Sequence, residues 1–136
     1  MQYMLMMYFD EQSLSEDERQ KCYRESAEFA QRLHSAGKYV AAAPLYPTST
    51  ATSVRVAEDK RMITDGPFAE TREQLGGFFV VDVDNLDEAI EIAAQIPAGR
   101  WGGVEIRPMI EVPELPEKFF AHDVDSLERR STQQRE

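Results

Sequence analysis

The sequence predicts an α+β domain, and three observations support this prediction. Residues 1–9 and 76–83 are apolar at nearly every position, which is typical of strands covered on both faces. Two longer segments place apolar residues at helical spacing behind helix-capping residues. A short pair of strands around a turn lies in the middle of the chain. The predicted order is therefore strand, helix, strand, hairpin, strand, helix, strand.

Composition limits the class of protein. The chain has 136 residues, one cysteine and a net charge of −10. One domain of this length needs no disulfide, and a single cysteine cannot form one within the chain. The negative charge argues against a nucleic-acid or anionic-membrane partner, because binding to phosphate needs a basic surface. No segment is long and apolar enough to span a membrane, and no basic region precedes the first apolar run. We therefore expect a cytoplasmic location.

The first strand is residues 1–9, and a helix follows it. Ser15 and Glu18 have the spacing of a capping box, which predicts a helix over residues 16–36. Gly37 has the residue type that commonly ends such a helix. The predicted buried stripe consists of Cys22, Ser26, Phe29, Ala30 and Leu33.

A second strand is predicted over residues 38–43. Residues 53–56 and 61–64 then form a hairpin around a turn at residues 58–60. The triplet Asp65-Gly66-Pro67 predicts a further turn, because each of these residue types favours turn conformations.

The second half of the chain contributes a strand, a helix and a last strand. After the apolar strand, Asn85 and Glu88 form another possible capping pair for a helix from Leu86 to Ala93, which must end before Pro97. Residues 103–112 alternate as in a strand with one polar face. One face holds Val104, Ile106 and Ile110, and the other holds Glu105, Arg107 and Glu111.

This order is the ferredoxin-like split βαβ pattern: an antiparallel sheet with two helices on one face, here with an extra hairpin. It places the two fully apolar strands at the sheet centre and leaves one sheet face without helices. That face carries either Met4, Met6 and Tyr8 or Tyr3, Leu5 and Met7, with Phe78 and Val80 or Phe79 and Val81. An uncovered apolar face of this size predicts a symmetric homodimer. The alternative is that the C-terminal extension, with Phe119 and Phe120, covers it.

The most specific motif is DGPFAETREQLGGF at residues 65–78. Ordered flanking motifs are YML at 3–5, STATSVR at 49–55, IPA at 96–98 and VEIRP at 104–108. With these motifs, residues 1–112 resemble the DGPF branch of the YCII-related family, and residues 113–136 form an unmatched C-terminal extension, partly flexible or a short helix. The resemblance implies a ferredoxin-like fold paired into a dimeric α+β barrel, with a cleft between sheet and helices near the motif.

For function, the resemblance implies two directions. Some more distant YCII-related proteins are small-molecule lyases or dehalogenating enzymes thought to use a His–Asp pair, whereas DGPF genes often lie beside genes for alternative sigma factors. This sequence departs from the first group. It has Ser26 where those enzymes carry a histidine on helix one, and His34 lies near the end of that helix.

Asp65 is the candidate catalytic residue. In a partly apolar cleft its pKa would rise and suit it to acid–base work, whereas in an Asx-turn its carboxylate would bond to backbone N–H groups. Gly66 and Pro67 shape the turn, and Phe68 is either a core anchor or a wall of the cleft.

Five further residues are candidates for the cleft. The residue types of Glu70, Arg72 and Glu73 favour a solvated ion-pair cluster over a catalytic group. If they face the cleft, Arg72 is suited to holding a substrate carboxylate, and Glu70 or Glu73 to sharing proton transfer. Arg55 is either an anion clamp or a solubilising edge residue. Tyr8 either offers its hydroxyl to the cleft or belongs to the core.

No metal or cofactor is predicted. One cysteine and two separated histidines do not give a zinc spacing, and neither a nucleophile elbow, a Walker loop nor a GxGxxG motif is present. Cys22 is expected in the core. Two functions remain: a cofactor-independent lyase or isomerase acting on a small organic acid or aromatic, and a non-catalytic binding or regulatory module linked to a sigma-factor pathway.

Overall fold

A four-stranded antiparallel sheet organises the protein, for which the computed structural model describes residues 1–116. The elements are β1 (Gln2–Phe9), α1 (Glu16–Ser35), β2 (Tyr39–Pro44), β3 (Thr52–Ala57), β4 (Lys60–Asp65), β5 (Gln74–Asp82), α2 (Leu86–Ala93) and β6 (Gly102–Pro108). The main sheet has the order β2-β5-β1-β6, and β3 and β4 form a separate two-stranded sheet. This order confirms the predicted α+β topology, with the two most apolar strands at the centre.

The core lies between this sheet and the two helices. Along β1, side chains alternate, and Tyr3, Leu5, Met7 and Phe9 are the buried set. The other buried core residues include Phe79 and Val81 on β5, Cys22, Phe29 and Leu33 on α1, and Ala89 and Ile92 on α2. Phe29 meets Phe79 edge to face, with ring centroids 5.7 Å apart. Burial of these apolar side chains is the main stabilising contribution.

Both ends of α1 are fixed by local hydrogen bonds. The Ser15 hydroxyl accepts from the Glu18 N–H at 3.1 Å, and the Glu18 carboxylate accepts from the Ser15 N–H at 3.0 Å, which confirms the predicted capping box. These hydrogen bonds lower the pKa of Glu18. At the other end Gly37 takes φ of +74°, a conformation that favours glycine. Its N–H donates to the His34 carbonyl, so the helix ends as predicted.

α2 also begins at its predicted cap. The Asn85 side chain accepts a hydrogen bond from the Glu88 N–H at 3.0 Å, and the Glu88 carboxylate accepts one from the Asp84 N–H at 2.7 Å. The helix ends at Ala93, and Pro97 starts a short 3₁₀ turn, as expected for a residue without an N–H.

The predicted last strand is too long. β6 ends at Pro108 instead of continuing to residue 112, and Ile110 is 86% exposed instead of buried. The reason is the length of the neighbouring strand. Pro108 pairs with Tyr3 and the Met109 N–H donates to the Gln2 carbonyl, so β1 offers no further partner. Val104 and Ile106, by contrast, pack against the core as predicted.

The β3–β4 hairpin has a two-residue turn at Glu58 and Asp59, which have φ of +51° and +64°. Two successive positive φ values are typical of a type I′ turn, whose twist matches that of paired strands. Pairing runs from Thr52 opposite Asp65 to Ala57 opposite Lys60. The predicted hairpin is therefore present, with each strand one residue longer at both ends, and Lys60 belongs to β4 instead of the predicted turn.

The sheet face opposite the helices carries the first of the two predicted residue sets. Met4, Met6, Tyr8 and Phe78 are half-buried there, and Val80 is buried. Gln2 is buried on the same side, and its Nε2 has no hydrogen-bond partner. Phe119 and Phe120, the alternative cover for this face, lie outside the described residues. Within residues 1–116, no helix has the length and apolarity to cross a membrane.

Candidate functional site

A cavity of about 290 Å³ lies between α1 and the edge of the sheet formed by β2 and β5. From the sheet side it is lined by Met7, Phe9, Tyr39, Ala42, Ala43, Pro44, Gly76, Phe78 and Phe79. From the helical side it is lined by Cys22, Tyr23, Ser26, Ala27, Ala30 and Ala98. We call this the apolar cavity, because its lining contains neither a carboxylate, an ammonium, a guanidinium nor an imidazole.

Small residues create this space. α1 contributes Ala27 and Ala30, and β2 contributes Ala42 and Ala43, where larger side chains would fill the interval between helix and sheet. On β5, a Cβ at Gly76 would collide with the Phe9 ring. Gly76 therefore lets the Phe9 ring lie flat against the strand at the edge of the cavity.

The polar side chains among the lining residues of the apolar cavity are those of Cys22, Tyr23, Ser26 and Tyr39. Burial raises the pKa of the Cys22 thiol, and a hydrogen bond with Ser26 opposes this only in part. The thiol is therefore protonated at neutral pH and is a poor nucleophile. Ser26, the residue at the position of the family's histidine, faces the same cavity but cannot act as an imidazole base.

A second, polar cavity of about 560 Å³ lies beside the DGPF segment, residues 65–68. Its lining consists of Glu11, Gln12, Thr48, Ser49, Gly66, Pro67, Ala69, Glu70, Thr71 and Gln74. Residues from the same three stretches of chain, 7–12, 42–49 and 74–79, line one cavity or the other. The two cavities therefore lie along the same stretches of chain, although they have no lining residue in common.

Glu11 organises the polar cavity instead of being free for chemistry. Its carboxylate accepts from the Thr48 N–H at 2.9 Å and from the Thr48 hydroxyl at 2.7 Å. Its own N–H donates to Oε1 of Gln74 at 3.0 Å. These bonds hold together the turn between β1 and α1, the loop after β2 and the start of β5.

Asp65 ends β4 and is exposed, and it lines neither cavity. The turn after it is held through the backbone of Gly66, which has φ of +100°. The Gly66 N–H donates to the Ala51 carbonyl at 2.7 Å, and the Ser53 hydroxyl donates to the Gly66 carbonyl at 2.6 Å. The catalytic role of Asp65 stays a prediction.

The other predicted cleft residues divide into separate groups. Gly66, Pro67 and Glu70 line the polar cavity. Phe68 is 63% exposed and carries the Arg55 guanidinium 4.3 Å from its ring centroid, so the prediction of a core anchor is wrong.

The remaining three predicted cleft residues lie elsewhere. Arg72 and Glu73 are exposed, and Tyr8 lies on the sheet face opposite the helices. The structure therefore brings together only part of the predicted set.

The sequence analysis did not identify the apolar cavity. Neither Tyr23 nor Tyr39 belongs to a motif, and Ser26 is predicted only as a member of the buried stripe and as the residue at the position of the family's histidine. The usable indication was the run of small residues on β2 together with Ser26, Ala27 and Ala30 on one side of α1. Small side chains on neighbouring elements leave room between helix and sheet when the backbones do not approach each other.

Comparison with known families identifies the relatives of this chain. The family model for the YCII-related domain matches residues 1–113. The chain belongs to the YCII-related family. An uncharacterised relative from Rhizobium meliloti (strain 1021) is 34% identical over 114 residues, which are 80% of this chain and 92% of that protein. The predicted family is thereby confirmed, and membership in the DGPF branch stays a prediction.

A solved structure shares this YCII-related fold. It is 5-chloro-2-hydroxyhydroquinone dehydrochlorinase (TftG) from Burkholderia phenoliruptrix AC1100, in complex with 2,5-dihydroxybenzoquinone. It has a TM-score of 0.52 and 16% sequence identity, and the match covers 82% of this chain and 96% of that chain. At this identity the likeness establishes the shared fold.

Proposed function

We propose that this YCII-related protein binds a small, mainly apolar organic molecule, with an aromatic or quinone ring, in the apolar cavity. The observation that carries the proposal is the lining: alanines, phenylalanines and Met7 surround the space, with only hydroxyls and one thiol as polar groups. Ligand sites are typically apolar pockets with a few placed polar groups. At about 290 Å³ the cavity suits one substituted ring.

The polar groups favour phenolic or quinone oxygens on that ring. The hydroxyls of Tyr23, Ser26 and Tyr39 both donate and accept hydrogen bonds, as phenols and quinones require. A carboxylate placed inside would lack a cation, so a ligand's acid group belongs at the mouth. The 2,5-dihydroxybenzoquinone bound to TftG is a molecule of this class and supports the choice.

We propose that the bound molecule undergoes proton transfer, as part of a lyase or isomerase reaction without a cofactor. Asp65 and Glu70 are its proposed acid–base groups, because Glu70 lines the neighbouring polar cavity and Asp65 adjoins it. The alternative is a non-catalytic binding or regulatory module in a sigma-factor pathway. The absence of carboxylate and imidazole groups from the lining of the apolar cavity favours this second function.

Filling the apolar cavity tests the proposal. Ala30→Leu adds side-chain volume to the lining, whereas Gln31→Leu adds a leucine to the exposed side of the same helix. A ligand at 100 times its dissociation constant stabilises the folded state by about 2.7 kcal/mol. In a thermal-shift screen of phenols, quinones and benzoates, we expect compounds that raise Tm of the wild type and of Gln31→Leu but not of Ala30→Leu.

An assay for chemical conversion of the compounds that bind separates the two functions. Equal shifts in a folded Ala30→Leu variant would contradict binding in the apolar cavity. A ligand that still binds Asp65→Ala, but is converted only by the wild type, would support the enzyme. A ligand that the wild type binds and never converts would support the regulatory module.

We also propose a cytoplasmic homodimer. Support comes from the sheet face opposite the helices, where Met4, Met6, Tyr8 and Phe78 form an apolar surface. Two identical faces that meet about a two-fold axis give a closed dimer.

A further inference from the structure

The polar cavity differs in chemical character from the apolar cavity. Its lining carries hydroxyl, amide and carboxylate groups, and the two carboxylates belong to Glu11 and Glu70. None of the described residues that line it is a lysine, an arginine or a histidine. At about 560 Å³ it falls within the range of roughly 300–1,000 Å³ that is typical of small-molecule sites. The polar cavity is therefore a candidate for a second binding site.

Two of the three hydroxyl groups that line the polar cavity already donate their hydrogen atoms within the protein. The Thr48 hydroxyl donates to the Glu11 carboxylate at 2.7 Å. The Thr71 hydroxyl donates to the Glu73 carbonyl at 2.6 Å. The Gln74 side-chain amide also donates, to the Thr71 carbonyl. A hydroxyl group has one hydrogen to donate, so both threonine oxygens can only accept a further hydrogen bond.

Capacity to accept hydrogen bonds remains on the same groups. A carboxylate offers about four lone-pair positions, and the Glu11 carboxylate uses two of them for the Thr48 N–H and hydroxyl. Oε1 of Gln74 accepts the Glu11 N–H at 3.0 Å and keeps a second lone pair. Glu70 is exposed at the edge of the cavity and adds another carboxylate. The lining therefore suits a ligand that donates hydrogen bonds.

The charges around the polar cavity favour a cation. Residues 11–12, 48–49 and 66–74 surround it and hold three acidic side chains and one basic side chain, Arg72. From α1, the Arg19 guanidinium donates to the Glu11 backbone carbonyl at 3.3 Å and lies 3.9 Å from the Glu16 carboxylate, so it is engaged outside the lining. The net charge of −10 on the whole chain adds a general attraction for cations.

We propose that the polar cavity binds a small primary amine in its ammonium form. An ammonium group has three N–H donors, a positive charge and no acceptor, which matches a lining rich in acceptors and negative charge. An alkyl amine is protonated at neutral pH, as the lysine side chain is. A carboxylate or phosphate ligand would find no cation among the described residues of the lining. This site is separate from the ring site proposed in the apolar cavity.

Carbon-13 methyl spectra with four small probes test the proposal. Propylammonium, 1-propanol, propanoate and tetramethylammonium are added separately to the full-length protein at constant ionic strength. With propylammonium, we expect the methyl resonances of Thr48, Ala69 and Thr71 to shift and saturate together. Those of Ala27 and Ala30, in the apolar cavity, should not move. Tetramethylammonium has the charge but no N–H group, so it should bind more weakly.

Two neighbouring glutamates provide matched variants. Both are exposed, but Glu70 lines the polar cavity and Glu73 does not. Glu70→Gln should weaken propylammonium binding by about threefold to fivefold, which is the effect expected for one exposed ion pair. Glu73→Gln should leave the binding unchanged, although it removes the same charge from the chain.

Several results would overturn the proposal. They are the absence of saturable shifts at Thr48, Ala69 and Thr71, equal binding of 1-propanol, propanoate or tetramethylammonium, and equal weakening by the two glutamate substitutions. Propylammonium shifts confined to Ala27 and Ala30 would also overturn it. Ring binding in the apolar cavity is tested separately, because phenols and quinones are followed at the methyl groups of that cavity.

Discussion

Cys22 shows how the apolar cavity controls the chemistry of a single group. The sequence correctly predicts it on the buried stripe of α1, but a stripe does not tell whether a residue meets packed neighbours or a cavity. The thiol meets both, with Ser26 as its hydrogen-bond partner. Its neutral form is the stable one in the folded protein, because burial raises the pKa.

The raised pKa of Cys22 predicts a loss of stability in alkali. The unfolded thiol ionises near its ordinary pKa of about 8.5, whereas the folded thiol is still protonated, so the unfolded state is favoured as pH rises through that value. The free energy of unfolding in urea should fall more steeply above roughly pH 8.5 for the wild type than for Cys22→Ala. Parallel pH profiles for the two proteins would contradict this.

Gly76 and Gly103 form a matched pair for testing the edge of the apolar cavity. A Cβ at Gly76 collides with the Phe9 ring, whereas one at Gly103 meets nothing within 4 Å. Overpacking of this kind typically costs about 1–3 kcal/mol. Gly76→Ala should therefore lower the free energy of unfolding by about that amount, with little change in Gly103→Ala. Equal urea-unfolding midpoints for the two variants would show that Phe9 moves freely.

At the scale of elements, the helices and the hairpin were predictable because local chemistry defines them. Ser15, Asn85 and Gly37 fix helix ends through bonds between near neighbours. The length of β6 was not predictable from its own residues, because β6 ends where its neighbour in the sheet, β1, begins. Apolar and polar residues continue to alternate after Pro108, but β1 has no further residues to pair with them.

The capping box predicts a stability effect confined to α1. Ser15→Ala removes the acceptor of the Glu18 N–H, which typically costs about 1 kcal/mol. Ser15→Asp keeps an acceptor at the cap and should be close to wild type. Chemical denaturation of the three proteins checks the order. An alanine variant as stable as the aspartate variant would mean that tertiary packing alone fixes the helix start.

At the scale of the whole molecule, the sequence predicted the order of the sheet but not the position of the apolar cavity. Sheet order follows from the pattern of elements, whereas a cavity depends on how α1 sits over β2 and β5. The DGPF motif predicted Asp65 as the catalytic residue, but Asp65 lines neither cavity. Gly66 and Pro67 of the motif line the polar cavity, and no residue of the DGPF segment lines the apolar cavity.

The proposed homodimer predicts that a charge on the sheet face opposite the helices impairs association of the two copies. Met6→Glu places a carboxylate in the middle of that face, and a loss of about 1.4 kcal/mol already weakens association tenfold. Sedimentation velocity should show a dimer for the wild type and a shift toward monomer for Met6→Glu. Gln31→Glu, on the exposed side of α1, is the control. A monomeric wild type would contradict the proposal.

Ligand binding in the apolar cavity is the central claim, and alanine methyl groups report on it directly. Carbon-13 methyl spectra would be recorded while 2,5-dihydroxybenzoquinone and related phenols are added. The account predicts that the methyl resonances of Ala27, Ala30 and Ala42 shift and saturate together, while that of Ala69 in the polar cavity does not. Shifts confined to Ala69, or none with any ring compound, would contradict it.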